Sequence, residues 1–297
     1  NKGAFRLDVS VVIINFNTKE LTAQAVKSVQ DTVKKASCEI IVVDNSSDPA
    51  ECYQASLPGV TVLTGVENRG FGHACNLGAA HAQGDLLLFL NSDTVVHPEA
   101  IDRTADYLKG HPEVGVVGIR TLLEDGTFDH GCKRGFPTPA ASLYYFLGMD
   151  KKHPDSKKYG AYRQTFLPED KTAETDCVSG SYMLMPRLFF EELGGFDETF
   201  FMYGEDIDLC FRVREAGKKV VYFAEASITH LKGASGLHTK SKEVVYHFHH
   251  AMKIFYRKHY LKKYNVFVTA AVYSGIWAKY RLTLLKMKRA AHTRQED

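Results

Sequence analysis

Five short apolar runs constrain the fold of this chain more than any other feature of the sequence. The runs are Val9–Ile14, Glu39–Val43, Val60–Thr64, Leu86–Leu90 and Val114–Ile119. Their valine, isoleucine and leucine content is typical of strands that are buried on both faces. Helical patterns lie between most of them, from Thr18 to about Val33, after Gly72 to about Ala82 and from about Pro98 to Lys109. We therefore expect an α/β fold with a mostly parallel central sheet and helices on both faces.

Charge divides the 297 residues into an acidic body and a basic C-terminal part. From Lys240 to Asp297 there are 13 Lys and Arg residues and 3 Asp and Glu residues, a balance of +10. Because the whole chain carries +2, the remainder carries −8. We expect one α/β domain over residues 8–236 and a basic amphipathic helical extension over residues 237–297.

The extension carries two helical patterns, and the second one holds the single tryptophan. Its apolar positions follow heptad spacing, with Val266, Ala270, Tyr273, Trp277, Tyr280, Leu284 and Met287. A basic amphipathic helix with Trp and Tyr is typical of a membrane surface. The alternative is packing on the body or on a second copy of the chain, which would give a homodimer.

The six cysteines are scattered and form no CxxC pair, which favours a reduced, cytoplasmic protein over a disulfide framework or a zinc site. No stretch reaches the ~18 apolar residues of a spanning helix, and the chain starts with no signal-peptide pattern. We therefore expect a cytoplasmic protein, peripheral on the inner face of the cell membrane, with no nucleic-acid partner.

Polar residues follow the predicted strands repeatedly. They are Asn15 and Asn17 after the first, Asp44 after the second, the loop Asn68–Gly72 after the third and Asp93 after the fourth. In such sheets ligands bind at the carboxyl ends of the strands, so these residues predict one site. Asp44 could accept hydrogen bonds from a base or ribose, although its surroundings also favour a simple turn. The glycine loop offers N–H groups at a helix start, which suit a diphosphate.

Two further residues indicate a metal. A lone carboxylate at a strand end, such as Asp93, is a natural Mg²⁺ or Mn²⁺ ligand that shares the ion with phosphate oxygens. His230 follows a predicted strand at Lys219–Phe223 and precedes a Gly/Ser loop, which suits metal or phosphate contact. The alternative for a lone histidine is a structural role.

The stretch Gly195–Arg212 places acids among aromatic residues. Carboxylates in such surroundings are costly unless they are paired, hydrogen-bonded or used. A helical pattern begins at Ile207, so Glu205 and Asp206 would lie at a helix N-terminus, where the dipole favours negative charge. The alternative is an ordinary acidic cap. The less regular stretch Thr121–Asp176 predicts loops and short elements that shape a second substrate pocket.

In order and spacing, these motifs resemble family 2 glycosyltransferases with the GT-A fold, in particular bacterial rhamnosyltransferases and related cell-surface glycan enzymes. The matching pieces are VVIINFNT, VVDNSS, NRGFGHACNLG, LLFLNSD, VSGSYMLMPR, GGFDETFFMYGEDIDLCFR and HLKGAS. The resemblance covers about Val9–Gly236.

The resemblance implies a role for individual residues. Nucleotide-sugar contacts are implied for Asn15, Asn17, Asp44, Asn68, Arg69, Gly70, Gly72, Asn76, Asn91 and Ser92. Asp93 and His230 are implied as ligands of Mg²⁺ or Mn²⁺. Asn91 stands where the DxD-type metal motif has its first acid, so Asp93 is the one acid of that motif in this sequence. Asp206 is implied as the catalytic base beside Glu205, with Gly180 and Tyr203 on the acceptor side.

The resemblance further implies an inverting transferase that moves a single sugar, such as rhamnose, from a dTDP-, UDP- or GDP-sugar. The implied acceptor is a glycan or a polyprenyl-diphosphate-linked glycan in cell-surface polysaccharide synthesis. The QxxRW motif of processive synthases is missing from the sequence. The alternative is a noncatalytic nucleotide-sugar-binding or scaffold protein of the same fold. A sugar nucleotidyltransferase would need a Gly- and Lys/Arg-rich loop after the first strand, where this chain has NFNT.

Overall fold

The computed structural model describes residues 7–54, 57–231 and 241–296, with the side chains of the last helix described as far as Arg289. The strands are β1 (Val9–Asn15), β2 (Cys38–Asp44), β3 (Val60–Leu63), β4 (Leu86–Asn91), β5 (Thr94–Val96), β6 (Val114–Leu123), β7 (Lys133–Arg134), β8 (Ala173–Thr175), β9 (Cys177–Val178), β10 (Tyr182–Pro186) and β11 (Lys219–His230). The helices are α1 (Lys19–Thr32), α2 (Phe71–His81), α3 (Ala100–Gly110), α4 (Pro139–Phe146), α5 (Met149–Lys152), α6 (Arg187–Glu192), α7 (Glu205–Glu215), α8 (Lys242–His259) and α9 (Val266–Glu296).

A nine-stranded sheet in the described residues has the order β3-β2-β1-β4-β10-β6-β11-β5, and β8 pairs with β11. Strands β1, β2, β3 and β4 run parallel, as do β6 and β11. Strand β10 is antiparallel to both β4 and β6, and β5 and β8 are antiparallel to β11. The expectation of a mostly parallel sheet is therefore confirmed.

The alternation of side chains along β1 explains why helices cover both faces of the sheet. Val9, Val11 and Ile13 pack into a core with α1 and α3. Val12 and Ile14 point the other way, into a core with α2, α6 and α7. Successive side chains in a strand point to opposite faces, so a continuous apolar run requires two apolar layers.

Helices α8 and α9 are attached to this body through α7. A third core joins Phe200 and Phe211 to Ile254, Phe255 and Tyr260 of the α8 region. In the described part of the chain, no helix is long and apolar enough to span a bilayer. The expected boundary between residues 236 and 237 lies outside the described residues.

Two segments differ from the sequence predictions, and a third agrees with them. Strand β11 continues to His230, past an irregularity between Phe223 and Ser227 that interrupts its apolar pattern, so His230 ends a strand and does not follow it. The predicted strand Cys177–Met185 is divided into β9 and β10 by a turn at residues 179–181. The irregular middle segment contains short elements, as expected, including helix α4 and strand β7.

Candidate active site

A chain of hydrogen bonds connects the ends of β2, β1 and β4 along one edge of the sheet. The Asn15 amide donates to Asp44 Oδ2 at 3.1 Å, and Asn15 Oδ1 accepts from the Thr18 hydroxyl at 3.2 Å. Thr18 Oγ1 in turn lies 3.1 Å from Ser92 Oγ, so this side chain bridges two strand ends and makes no helix-capping hydrogen bond. The polar strand ends predicted from the sequence therefore meet at one edge.

Most of the polar capacity of these strand-end residues is used within the chain. Asn15 is fully buried, and its side chain also contacts Ser46, Glu51 and Thr22. Asp44 is 2% exposed and accepts from Asn15 and from the backbone N–H groups of Ser46 and Tyr53. In this structure both residues support the loops above them, and their direct contact with a nucleotide stays a prediction.

Asn17 organises the loop that follows β2. Its φ angle of 54° is in the left-handed region, which asparagine tolerates better than most residues. Its Oδ1 accepts from the backbone N–H groups of Ser47 and Asp48, at 3.0 Å each. This loop is part of the same edge, so the sequence motif VVDNSS and the residue Asn17 form one unit.

The glycine loop lies directly against the acidic stretch. Gly70 has a φ of 105°, and a Cβ at this position would lie 2.5 Å from the carbonyl oxygen of Phe201. The Phe71 N–H donates to that same carbonyl at 3.0 Å, and the Gly70 N–H donates to Asn68 Oδ1 at 3.1 Å. Two of the N–H groups that we expected to bind a diphosphate are thus used within the chain.

Side chains of α2 strengthen this junction. Asn76 accepts from Phe196 N–H at 2.8 Å and donates to Phe196 O at 2.9 Å and to Glu198 at 3.0 Å. Glu198 Oε2 also lies 2.9 Å from His73 Nδ1 and 3.8 Å from Arg69 Nη2. A Cβ at Gly72 would lie 3.2 Å from Phe196, a close fit. Arg69, Gly72 and Asn76 therefore position the segment before α7, and their predicted nucleotide contacts remain predictions.

The two predicted metal ligands are in contact. Asp93 Oδ1 lies 3.0 Å from His230 Nε2, and both side chains are less than 10% exposed. His230 also lines a cavity of about 470 Å³ with Leu123, Glu124 and Asp125. A carboxylate oxygen beside an imidazole nitrogen suits Mn²⁺ or Mg²⁺ when phosphate oxygens and water supply the other ligands. No cluster of three or more His, Cys, Asp or Glu side chains that could hold an ion occurs within residues 7–54, 57–231 and 241–296. The residues therefore fit a two-ligand site.

Asp206 lies in the first turn of α7, as the sequence predicted, and it contacts three donors. Its Oδ2 lies 2.5 Å from Arg134 Nη2 and accepts from the Gly180 N–H at 3.2 Å. Its Oδ1 accepts from the Ile207 N–H at 2.8 Å. A carboxylate has about four acceptor positions, so Oδ1 retains one for a further donor. The Asp206 side chain is 11% exposed, which leaves a narrow approach.

Glu205 is electrostatically different from its neighbour. Burial, and then the nearby charge of Asp206, raise the pKa of Glu205 from 4.5 to about 8. No donor among the described residues reaches Glu205 Oε2. Glu205 is therefore protonated at neutral pH. The two adjacent carboxyl groups differ in their partners, because only Asp206 has a guanidinium, that of Arg134, within hydrogen-bond distance.

Two short segments connect the metal ligands to this acidic pair. The Asn91 N–H donates to Ser181 O at 3.2 Å, and the adjacent Gly180 N–H donates to Asp206. Asp129 Oδ2 lies 3.8 Å from His230 Nδ1, and Arg134 follows it by five residues, a span of at most about 18 Å. These two segments therefore join Asp93 and His230 to the predicted base through the backbone.

Sequence analysis missed Arg134 and Asp129. Both lie in the segment for which the sequence showed no periodicity, and Arg134 sits on a two-residue strand. Gly180 and Tyr203, predicted on the acceptor side, are both close to the pair. Gly180 donates to Asp206, and Tyr203 occurs two residues before Glu205 with a left-handed φ of 67°. Their contact with an acceptor stays a prediction.

Comparison with known structures identifies the fold. The solved structure of GalNAc-T7 with UDP, GalNAc and Mn²⁺ superimposes with a TM-score of 0.58 at 17% identity. The match covers 85% of this chain and 48% of that one. The fold is that of the GT-A glycosyltransferases, as the sequence predicted.

Comparison of sequences identifies the family. The family model described as glycosyl transferase family 2 matches residues 10–170, and the chain belongs to this family. The N-acetylglucosaminyl-diphospho-decaprenol L-rhamnosyltransferase of Mycobacterium tuberculosis is 30% identical over 209 residues, 66% of this chain and 67% of that protein. The O-antigen biosynthesis protein RfbC of Myxococcus xanthus is 30% identical over 233 residues, 76% of this chain and 17% of that longer protein.

Proposed function

We propose that this chain is an inverting glycosyltransferase that moves a single L-rhamnose from a nucleotide-diphosphate sugar to a lipid-linked glycan in cell-surface polysaccharide synthesis. One observation carries the proposal. The Asp206 carboxylate, with one acceptor position left, is linked through the turn at residues 179–181 to the end of β4, beside the Asp93 and His230 pair. The name of the mycobacterial relative supports the choice of sugar and of a diphosphate-linked polyprenyl acceptor.

In this proposal Asp206 acts as the general base. Its Oδ1 takes the proton of the acceptor hydroxyl while the hydroxyl oxygen bonds to the anomeric carbon and the bond from that carbon to the diphosphate oxygen breaks. Arg134 and the Gly180 N–H hold Oδ2 and so fix the direction in which Oδ1 points. A positioned base contributes typically about 10²–10⁴ in rate.

Asp93 and His230 would hold a divalent cation on the other side of the cleft. When bound, the ion would neutralise the negative charge of the departing diphosphate. The protein contributes two ligands of different hardness, which leaves room for two phosphate oxygens and water. Metal dependence is accordingly part of the proposal.

The exposed apolar residues of α9 support contact with a membrane surface on the cytoplasmic side. Phe267 is 82% exposed, Trp277 59% and Leu282 58%. Arg281, Lys286 and Lys288 accompany them on the same helix. Such a helix gains from apolar burial in the interface and from anionic lipid headgroups. Sedimentation with anionic vesicles tests this: the chain pellets with them and stays in the supernatant with neutral vesicles. A concentration-dependent dimer with no vesicle binding would favour a second copy instead.

The function itself is tested with the purified chain, dTDP-L-rhamnose and a GlcNAc-diphosphate lipid, with Mn²⁺ or with EDTA. We expect transfer with metal and a loss of at least tenfold with EDTA. UDP- and GDP-sugars are tested in parallel by thermal shift, because the donor that binds raises the melting temperature of the protein. Binding of a donor without transfer or hydrolysis under any condition would favour the noncatalytic alternative.

A further inference from the structure

An apolar groove outside the cleft separates helices α4, α8 and α9. Its volume is about 400 Å³, and its walls include Leu143, Phe146, Met252, Phe255, Val272 and Ile276. Cavities of this size with apolar walls and few polar groups are typical of small-molecule sites. The groove therefore has the dimensions to take a hydrocarbon segment.

Lys279 is the single charged residue in the lining of the groove. Its ammonium lies 4.2 Å from the ring centre of Phe146 and 5.4 Å from that of Phe248. Burial lowers the pKa of Lys279. In the described ranges no carboxylate comes within ion-pair distance of it, in contrast to Lys258, which has two. A desolvated cation beside apolar walls favours an anionic group attached to an apolar chain.

The charged part of the groove adjoins the candidate active site. Phe248, one of the two rings next to Lys279, packs edge-on against Tyr203 with ring centres 5.7 Å apart. Tyr203 precedes Glu205 by two residues. The groove residue Pro137 follows Arg134 by three residues. Two residues beside the acidic pair, Tyr203 and Arg134, are therefore connected to the groove, one by a ring contact and one along the chain.

We propose that this groove binds the isoprenoid chain of the lipid-linked acceptor and that Lys279 holds its phosphate. The inference rests on the proposed function, because it assigns a place to the lipid part of that acceptor. A single cation suits one phosphate of the diphosphate, and the contacts of Phe248 with both Lys279 and Tyr203 place that phosphate on the side of the groove next to the acidic pair. Bulk phospholipid has no reason to be oriented in this way.

The groove offers a variant that fills it without disturbing the helix. Gly275 lines the groove, and a Cβ there would meet no atom within 4 Å. Leucine is also a better helix former than glycine. Gly275→Leu should therefore occupy the groove, and Ser274→Leu, at the neighbouring exposed position, is the matched control.

Binding of farnesyl diphosphate to the full chain, saturated with the donor nucleotide to block the cleft, is measured by calorimetry. We expect Gly275→Leu and Lys279→Gln to weaken binding at least tenfold each. Ser274→Leu and Lys262→Gln, which changes an exposed cation, should leave it unchanged. Inorganic diphosphate binding as tightly as the probe, or phospholipid vesicles displacing it completely, would overturn the proposal.

Turnover separates a failure of the groove from a failure of the proposed function. With the lipid-linked acceptor, Gly275→Leu should raise the acceptor KM at least tenfold and leave the donor KM unchanged. An unchanged acceptor KM in Gly275→Leu and Lys279→Gln would contradict lipid binding in the groove. It would not contradict the proposed glycosyltransferase activity. The opposite outcome is farnesyl diphosphate binding that the groove variants weaken, in a protein that transfers no sugar. It would support lipid binding in the groove and overturn the proposed function.

Discussion

Asp206 and Asp208, two acids of helix α7 that are two residues apart, have different surroundings. The turn that we propose to be catalytic, called the catalytic turn below, comprises Glu205 and Asp206 with Arg134 and Gly180. It gives Asp206 one cation and leaves an acceptor position open. The helix clamp, comprising Asp208 with Arg212, Lys258 and His259, surrounds a fully buried carboxylate with three basic side chains at 2.7–2.8 Å.

The pKa of Asp208 expresses this difference. Burial opposes ionisation, but the hydrogen bonds from His259 and Lys258 and the charge of Arg212 lower the pKa to about 2. The clamp also fastens α8 to α7, since Lys258 and His259 belong to α8. Burial alone therefore does not distinguish Asp208 from Asp206. The number of basic side chains around each carboxylate does, with three at Asp208 and one at Asp206, and the following variants test that distinction.

Asp206→Asn should have the largest effect on turnover. We expect a loss of about 10²–10⁴ because the amide cannot take the proton. Steady-state kinetics with the active donor measures this, and a donor titration should give an unchanged Kd. Turnover within tenfold of the parent would remove Asp206 from the role of base.

Arg134→Met tests whether the single cation of the catalytic turn positions the base. A hydrogen bond to a charged group contributes about 1.5–3 kcal/mol, so we expect turnover to fall about 10–100-fold. Arg134→Lys should recover part of the loss, and the pH profile of kcat should shift in the Met variant. An increase in turnover would mean that the ion pair holds the base inactive.

Asp208→Asn should affect stability more than chemistry. Removing one partner of a fully buried ion pair costs about 3–5 kcal/mol. Because Lys258 is 33% exposed, we expect about 2–3 kcal/mol in urea unfolding. Turnover should fall only with the folded fraction. Glu174→Gln, in a half-exposed pair with Arg214, is the control and should change stability by less than about 1 kcal/mol. Equal losses in both variants would contradict the clamp.

Lowering the pH should destabilise the helix clamp, as the Asp208→Asn substitution does. The folded-state pKa of Asp208 is below its ordinary value of 3.8, so its contribution is present above that pH and is lost as the pH falls towards 2. In Asp208→Asn this part of the acid dependence should disappear.

Glu205→Gln should have the smallest effect on turnover, within about tenfold, because glutamine mimics the protonated acid. Glu205 binds its proton more tightly in the folded chain, so its contribution to stability falls as the pH rises from about 4.5 to about 8. The variant should lose that decline and exceed the parent in unfolding free energy at pH 8.5, with little difference at pH 4. A steeper alkaline decline in the variant would contradict this assignment.

Much of the fold and part of the site could be predicted, because strand-end residues are close in sequence to the strands that place them. Asp44, Asp93 and Asp206 were expected along one cleft, and the hydrogen-bonded route from Asp44 to Ser92 and from Asn91 to Asp206 connects them. The sequence could not separate Asn15, whose amide is used within the chain, from a ligand contact, because both are polar residues at strand ends.

Arg134 could not be predicted for a different reason. Its contact with Asp206 joins positions 72 residues apart, and it depends on how β7 pairs with β9 beside the 179–181 turn. No local pattern encodes such a pairing. His230 was expected after its strand because the irregularity before Ser227 interrupts the alternation that marks β11.

The contact between Gly70 and the Phe201 carbonyl has a consequence for the reaction cycle. The Phe71 N–H also donates to that carbonyl, so the glycine loop cannot move away without breaking this hydrogen bond or moving the segment that leads into α7. The start of α2 and the start of α7 are thus held together as one unit. The free energy needed to align them is spent when the chain folds, so a ligand that binds beside them need not supply it.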